Sequence, residues 1–115
     1  MSQKTKIIAE IGINHNGKES VAKKLIMQAK KAGADFVKFQ SFNPELLVIK
    51  KMTLANYQKL KEKNFKKNIE MLKKFQLDEK TQKRLQRFSQ KNKIGFLSSP
   101  FEEKSLEFLV KKLKI

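Results

Sequence analysis

The sequence contains no cysteine, so neither a disulfide framework nor a thiolate metal site is open to it. No apolar run approaches the roughly 18–20 residues that a membrane span needs. The amino-terminal stretch MSQKTKIIAE is basic but lacks a long apolar segment and a small-residue cleavage pattern, so it does not read as a secretory signal. The default compartment is the cytoplasm. Arginine is scarce, with Arg84 and Arg87 alone, and His15 is the single histidine. Acidic residues number 11 against 27 basic ones, a formal net charge of +16.

That charge invites a nucleic-acid reading. Its texture argues otherwise. Arginine is the side chain that reads guanine edges and phosphates with a paired fork, and here nearly every cation is lysine. The lysines are also dispersed, as at Lys23, Lys24, Lys30, Lys31 and again at Lys111, Lys112, Lys114. The run from Lys59 to Lys74 reads as a solvated face. With 115 residues the chain is one domain at most, and 39% apolar residues exclude wholesale disorder.

Along the chain, strand and helix signals alternate. Lys6–Ile13 is a short apolar, β-branched run closed by turn chemistry at Asn14-His15-Asn16-Gly17. Val21, Ala22, Leu25, Ile26, Ala29 and Ala32 then recur at helical spacing, with Gly33 where a carboxyl-terminal cap belongs. A second strand follows at Phe36–Phe42, so the segment is a strand–helix–strand unit of a parallel sheet. The stretch from Asn43 to Gln76 is long for a connection and predicts two short helices. One carries Leu54, Tyr57 and Leu60, the other Ile69, Met71, Leu72 and Phe75. Asp78 caps a further helix bearing Leu85 and Phe88, with Leu77 as a staple and Asn92 as its left-handed terminator. A third strand, Ile94–Ser98, leads through Ser99-Pro100-Phe101 into a helix from about Glu102, with Leu106, Leu109, Val110 and Leu113 on one face.

Three β/α units in a row place Glu10, Lys38, Gln40, Ser98 and Ser99 near the carboxyl ends of strands, the ends that face ligands in parallel β/α architectures. Lys38 and Gln40 are two apart and share a face, while Val37 and Phe39 point the other way. An inward lysine and glutamine are costly unless they bind something. The set predicts a small anionic, hydroxylated ligand.

Three strings carry a resemblance: Ala9 to Gly17 (AEIGINHNG), Val37 to Phe42 (VKFQSF) and Phe96 to Phe101 (FLSSPF). In this order and spacing they resemble successive motifs of the N-acetylneuraminate (sialic acid) synthase family, which includes pseudaminate, legionaminate and spore-coat polysaccharide enzymes. Met71 to Leu77 is similar to the family segment before its second barrel helix. The resemblance implies that residues 1–115 are the first three β/α units of a (β/α)8 TIM barrel, truncated, with no C-terminal antifreeze-like domain. It also implies a reaction in which phosphoenolpyruvate condenses with an N-acylated amino sugar. Lys38 matches a lysine that contacts phosphoenolpyruvate, Gln40 its hydrogen-bonding neighbour, and Glu10 a carboxylate of sugar binding and catalysis. Ser99 stands where the family usually has threonine, keeping the hydroxyl for a phosphate contact. The implied cofactor is a divalent metal, manganese or magnesium, with its histidine ligands in later strands and none expected here.

Bland alternatives stand beside these roles. Glu10 and Lys38 could be an ion pair that satisfies a barrel interior, with Gln40 in the same network. His15 in its N-H-N-G turn reads as a loop-fixing group rather than a metal ligand, and Asn14 and Asn16 as turn formers. A complete barrel needs about 250 residues, so the chain alone is expected to be inactive. The other function classes are a noncatalytic fragment needing a complementary chain and a basic nucleic-acid-binding protein. Family enzymes are homodimers, and unpaired sheet edges favour association. Neither a membrane nor a specific nucleic acid is an expected partner.

Overall fold

A computed structural model describes residues 4–54 and 62–115, without the side chains of 50–65. Tyr57 and Leu60, expected on a helix, lie outside these residues.

Three strands pair in parallel in the order β1 (Ile8–Gly12), β2 (Phe36–Ser41), β3 (Gly95–Pro100). Helix α1 (Glu19–Lys31) makes the first crossover. Helices α2 (Pro44–Leu54), α3 (Glu62–Lys73) and α4 (Glu79–Lys91) lie between β2 and β3. Helix α5 (Glu103–Glu107) runs directly into a π-helical turn at Phe108–Lys112. The predicted order of elements stands, and the long connection does hold two helices, the first beginning at Pro44.

Alternation along the strands sorts the sheet into two faces. Val37, Phe39 and Ser41 of β2 are buried beneath helices, together with Ile11 of β1 and Phe96 of β3. Ala22 and Ile26 of α1, Leu85 of α4, and Phe108, Leu109 and Leu113 after α5 complete that core. The stacked rings of Phe39 and Phe96, 5.3 Å apart, lie at its centre. On the opposite face Ile8 is 50% exposed, and Glu10, Lys38, Gln40 and Ser99 are open or half-open. One face of the sheet is therefore covered and the other is not.

Helix ends follow their local chemistry, with three departures. Asp78 caps α4 by accepting from the Thr81 amide at 2.8 Å, as predicted, and that bond holds its carboxyl below the usual range. Leu77 is buried, but the residue one turn in is Gln82, whose Nε2 donates to the Leu77 carbonyl at 2.8 Å. A polar tie stands where a hydrophobic staple was expected. Asn92 is not left-handed (φ −94°), because its side-chain amide, bonded to the Phe88 carbonyl, holds it in the last turn. The reversal falls on Lys93 (φ 58°). The π-helical turn also rotates the final helix. Leu109 and Leu113 are buried, but Phe108 joins them, and Leu106 and Val110 face solvent at 49% and 54% exposure. The wider turn shifts the buried stripe off the regular helical spacing. The described lysines of the charged run, Lys66, Lys67, Lys73 and Lys74, are all exposed.

Candidate functional site

β1, β2 and β3 present their carboxyl ends on one side, and four of the predicted residues meet there on the uncovered face. Glu10 lies opposite Lys38 in the β1–β2 register, and Gln40 opposite Ser99 in β2–β3. Lys38 Nζ stands 2.9 Å from Glu10 Oε2, with the two side chains 38% and 49% exposed. At that exposure the pair contributes little to stability, on the order of 0–1 kcal/mol. Its ammonium is held in place yet remains open to an incoming anion. Among the described residues neither the Gln40 amide nor the Ser99 hydroxyl has a hydrogen-bond partner, so their capacity is unspent.

Gly12 shapes the junction. It sits at φ 58°, where the β1–β2 register slips by one residue between Glu10 and Gly12. A Cβ there would stand 3.4 Å from both Gln40 Nε2 and Glu10 Oε1. The bare backbone thus leaves the space on which the amide and the carboxylate converge.

The loop that follows is organised by His15. Its ring is fully buried, 5.9 Å from Phe39, and Nδ1 accepts from the Gly17 amide at 2.9 Å. Burial pushes the imidazole pKa below its ordinary value, outweighing a backbone contact with Gly12 that favours the charged form. Nδ1 is therefore the acceptor, Nε2 carries the proton, and among the described residues Nε2 has no hydrogen-bond partner. Asn14 donates to the Ile11 carbonyl at 2.9 Å and Asn16 takes φ 54°, both serving the turn. These three residues hold the loop.

Ser98 parts company with Ser99. It belongs to the covered face, where its hydroxyl lies 2.6 Å from that of Ser41. Sequence reading placed Ser98 at the strand end without assigning it a face, and it passed over Ser41, Gln82 and Glu102. Ser41 donates to Gln82 Oε1 at 2.5 Å. The buried Glu102 carboxylate accepts from the Asn43 amide at 2.9 Å and from the Ser105 amide and hydroxyl, tying the loops after β2 and β3 together. The available signal was the strand alternation that puts Ser41 in phase with Val37 and Phe39.

A cleft of about 200 Å³ between Phe42, Asp78, Gln82, Lys104 and Phe108 lies behind these strand ends and shares no residue with the open face. Among the described residues no group of three or more histidine, aspartate or glutamate side chains could hold a metal ion. The divalent metal implied by the resemblance thus finds no fitting ligand set in them, and no step below runs through it.

A parallel β/α layer with charged and hydrogen-bonding side chains gathered at its strand ends is the ligand-binding architecture of β/α enzymes. A sequence model of the NeuB family matches residues 25–115, and the chain belongs to that family. It is 45% identical over 107 residues to the N,N'-diacetyllegionaminic acid synthase of Campylobacter jejuni, covering 93% of this chain and 32% of that protein. The synthase of the same description from Legionella pneumophila is 43% identical over 113 residues, covering 95% of this chain and 32% of its own length. The crystal structure of an N-acetylneuraminic acid (sialic acid) synthetase from Leptospira borgpetersenii, in complex with citrate, superposes with a TM-score of 0.72 at 29% identity. That match covers 93% of this chain and 33% of the solved one. The chain spans about a third of the length of the relatives it matches. Its three parallel strands correspond to the amino-terminal part of that synthase fold. No helix among the described residues is long and apolar enough to cross a membrane.

Proposed function

We propose that this chain forms the phosphoenolpyruvate-binding part of a cytoplasmic synthase that makes a nonulosonic (sialic-type) acid from phosphoenolpyruvate and an N-acylated amino-sugar aldehyde. The observation that carries the reading is the meeting of Lys38, Glu10, Gln40 and Ser99 on one open face at the strand ends. Membership in a family whose relatives are synthases of this type supports it.

In the reaction, the methylene carbon of phosphoenolpyruvate bonds to the aldehyde carbon, whose oxygen takes up a proton. Water adds at the neighbouring carbon, and the carbon–oxygen bond to phosphate breaks. Lys38 supplies a fixed positive charge against the carboxylate and phosphate, held ready by Glu10. The Gln40 amide, on the same strand as Lys38, and the Ser99 hydroxyl of β3 hydrogen-bond the same anion. Glu10 aligns a sugar hydroxyl or the attacking water by accepting its proton-bearing bond. The remaining sugar contacts and the divalent metal, manganese or magnesium, fall to residues outside this set, and these 115 residues by themselves are expected to show no turnover. The complete enzyme acts as a homodimer in this reading.

The test joins this segment to the remaining strands and C-terminal domain of a close relative and measures phosphate release. Lys38→Ala should lower turnover by roughly two to three orders of magnitude, the loss seen when a charge-stabilising donor is deleted. Glu10→Gln keeps size and hydrogen bonding but removes charge, and should slow the reaction with an unchanged circular dichroism spectrum. Ser99→Thr should be neutral or mildly beneficial, and His15→Ala should leave the metal dependence in place. Near-normal rates for both Lys38→Ala and Glu10→Gln would make the pair structural and defeat the assignment.

A further inference from the structure

Behind the open face runs a polar chain that the site assignment does not use. Gln82 Oε1 can only accept, so the single hydroxyl proton of Ser41 goes to it, at 2.5 Å. Ser98 must then be the donor in the 2.6 Å contact between the two serines. Gln82 Nε2 donates onward to the Leu77 carbonyl at 2.8 Å, which fixes the orientation of the amide. The sequence Ser98 to Ser41 to Gln82 to Leu77 is directional. Its two central members are 1% and 4% exposed. A buried polar group is costly unless satisfied, and fully satisfied networks rigidify what they connect.

Position gives this network its meaning. Ser41 directly follows Gln40, and Ser98 directly precedes Ser99, so each hydroxyl of the covered face is one residue from a candidate ligand group facing the other way. Strand ends are where sheets open most readily. Here the last residue of β2 is bonded through its side chain to β3, two residues before that strand ends, and to the first turn of α4.

We propose that Gln82 is a positioning residue: through Ser41 and Ser98 it holds the ends of β2 and β3 so that Gln40 and Ser99 stand ready for an anion. The ligand named here rests on the function proposed above, but the ordering of the two strand ends does not. Gln82→Met keeps the side chain's length and removes both bonds. That leaves the Ser41 hydroxyl proton without its acceptor and the Leu77 carbonyl without its donor, so the single variant loses stability as well as order. The triple variant Ser41→Ala, Gln82→Met, Ser98→Ala removes the hydroxyls too. Apolar replacement of both partners is nearly neutral for stability, so at the serine end the triple variant separates positioning from packing, while the Leu77 carbonyl stays unpaired in both variants.

The experiment compares wild type and both variants by thermal unfolding, by amide nitrogen relaxation at Gln40 and Ser99, and by phosphoenolpyruvate titration followed through amide shifts. The triple variant should regain the part of the unfolding temperature that Gln82→Met loses at the serine end, and not the part lost at the Leu77 carbonyl. Its Gln40 and Ser99 amides should fall from order parameters near about 0.85 toward about 0.6. Phosphoenolpyruvate should bind roughly tenfold more weakly, the scale of one or two lost hydrogen bonds. If the triple variant recovers both stability and wild-type order at the two amides, Gln82 is a packing element and the inference fails. If wild type binds no phosphoenolpyruvate at millimolar concentration while the order parameters fall as stated, the functional reading fails and the positioning role stands.

Discussion

Replacing Gly17 by alanine tests the link between the loop after β1 and the rest of the molecule. Gly17 sits at φ 73°, where an L side chain costs about 1–2 kcal/mol. A Cβ there would also stand 3.1 Å from the Lys74 carbonyl carbon, and closer still to its oxygen. Those atoms are backbone in the turn after α3 and cannot swing aside as a side-chain tip would. Forcing a methyl into such a packed contact typically adds about 1–3 kcal/mol. The expected total is about 2–5 kcal/mol, a large share of the roughly 5–15 kcal/mol that holds a domain folded. Gly33 provides the control. It has φ 94°, but nothing lies within 4 Å of its Cβ position, so Gly33→Ala should cost only the conformational part, about 1–2 kcal/mol. Urea unfolding of both variants beside wild type reads the difference. Equal losses would show that the loop does not approach the Lys74 carbonyl in solution.

Three further expectations follow from single features. Burial holds His15 below its ordinary pKa of about 6.5, so as pH falls the unfolded chain takes up the proton first; this contribution to stability is full above about pH 6.5 and lost as pH drops toward the folded value. Unfolding midpoints between pH 7 and 5 should decline in wild type and flatten in His15→Gln; identical slopes would argue against a buried neutral ring. Asp78→Ala removes the cap of α4 and should cost about 1 kcal/mol by chemical denaturation, with no change meaning that the Thr81 amide is satisfied otherwise. Duplex DNA should bind weakly, without sequence preference, and release as salt rises, in a filter-binding titration with scrambled competitors. Tight binding to one sequence at physiological salt would restore the nucleic-acid reading.

Much of the site was legible because period-two alternation is a local property. Once Phe36–Phe42 reads as a strand, Lys38 and Gln40 must share a face, and the structure places them on the open one. Turn chemistry was equally local at Asn16 and Gly17, both left-handed as their residue types suggest. Misreadings came where a side chain found a backbone partner in its own last turn, or where an added residue in a turn decided. Asn92 had the right residue type for a left-handed cap, yet its side chain found the Phe88 carbonyl and passed the reversal to Lys93. The stripe of Leu106 and Val110 was drawn at α-helical spacing, and the π-helical turn moved it.

By itself, the sequence determined the order of strands and helices, the family, and which polar side chains lie at strand ends, because each depends on residue type at short separation. Tertiary structure alone decided that Glu10 meets Lys38, that Gln40 and Ser99 stand in register with free hydrogen-bonding capacity, and that Ser98 turns away from Ser99 toward Ser41 and Gln82. Those contacts join residues 28 to 59 positions apart. No local preference encodes such a pairing; it arises when the register of parallel strands and the seating of α4 bring the side chains within hydrogen-bonding distance.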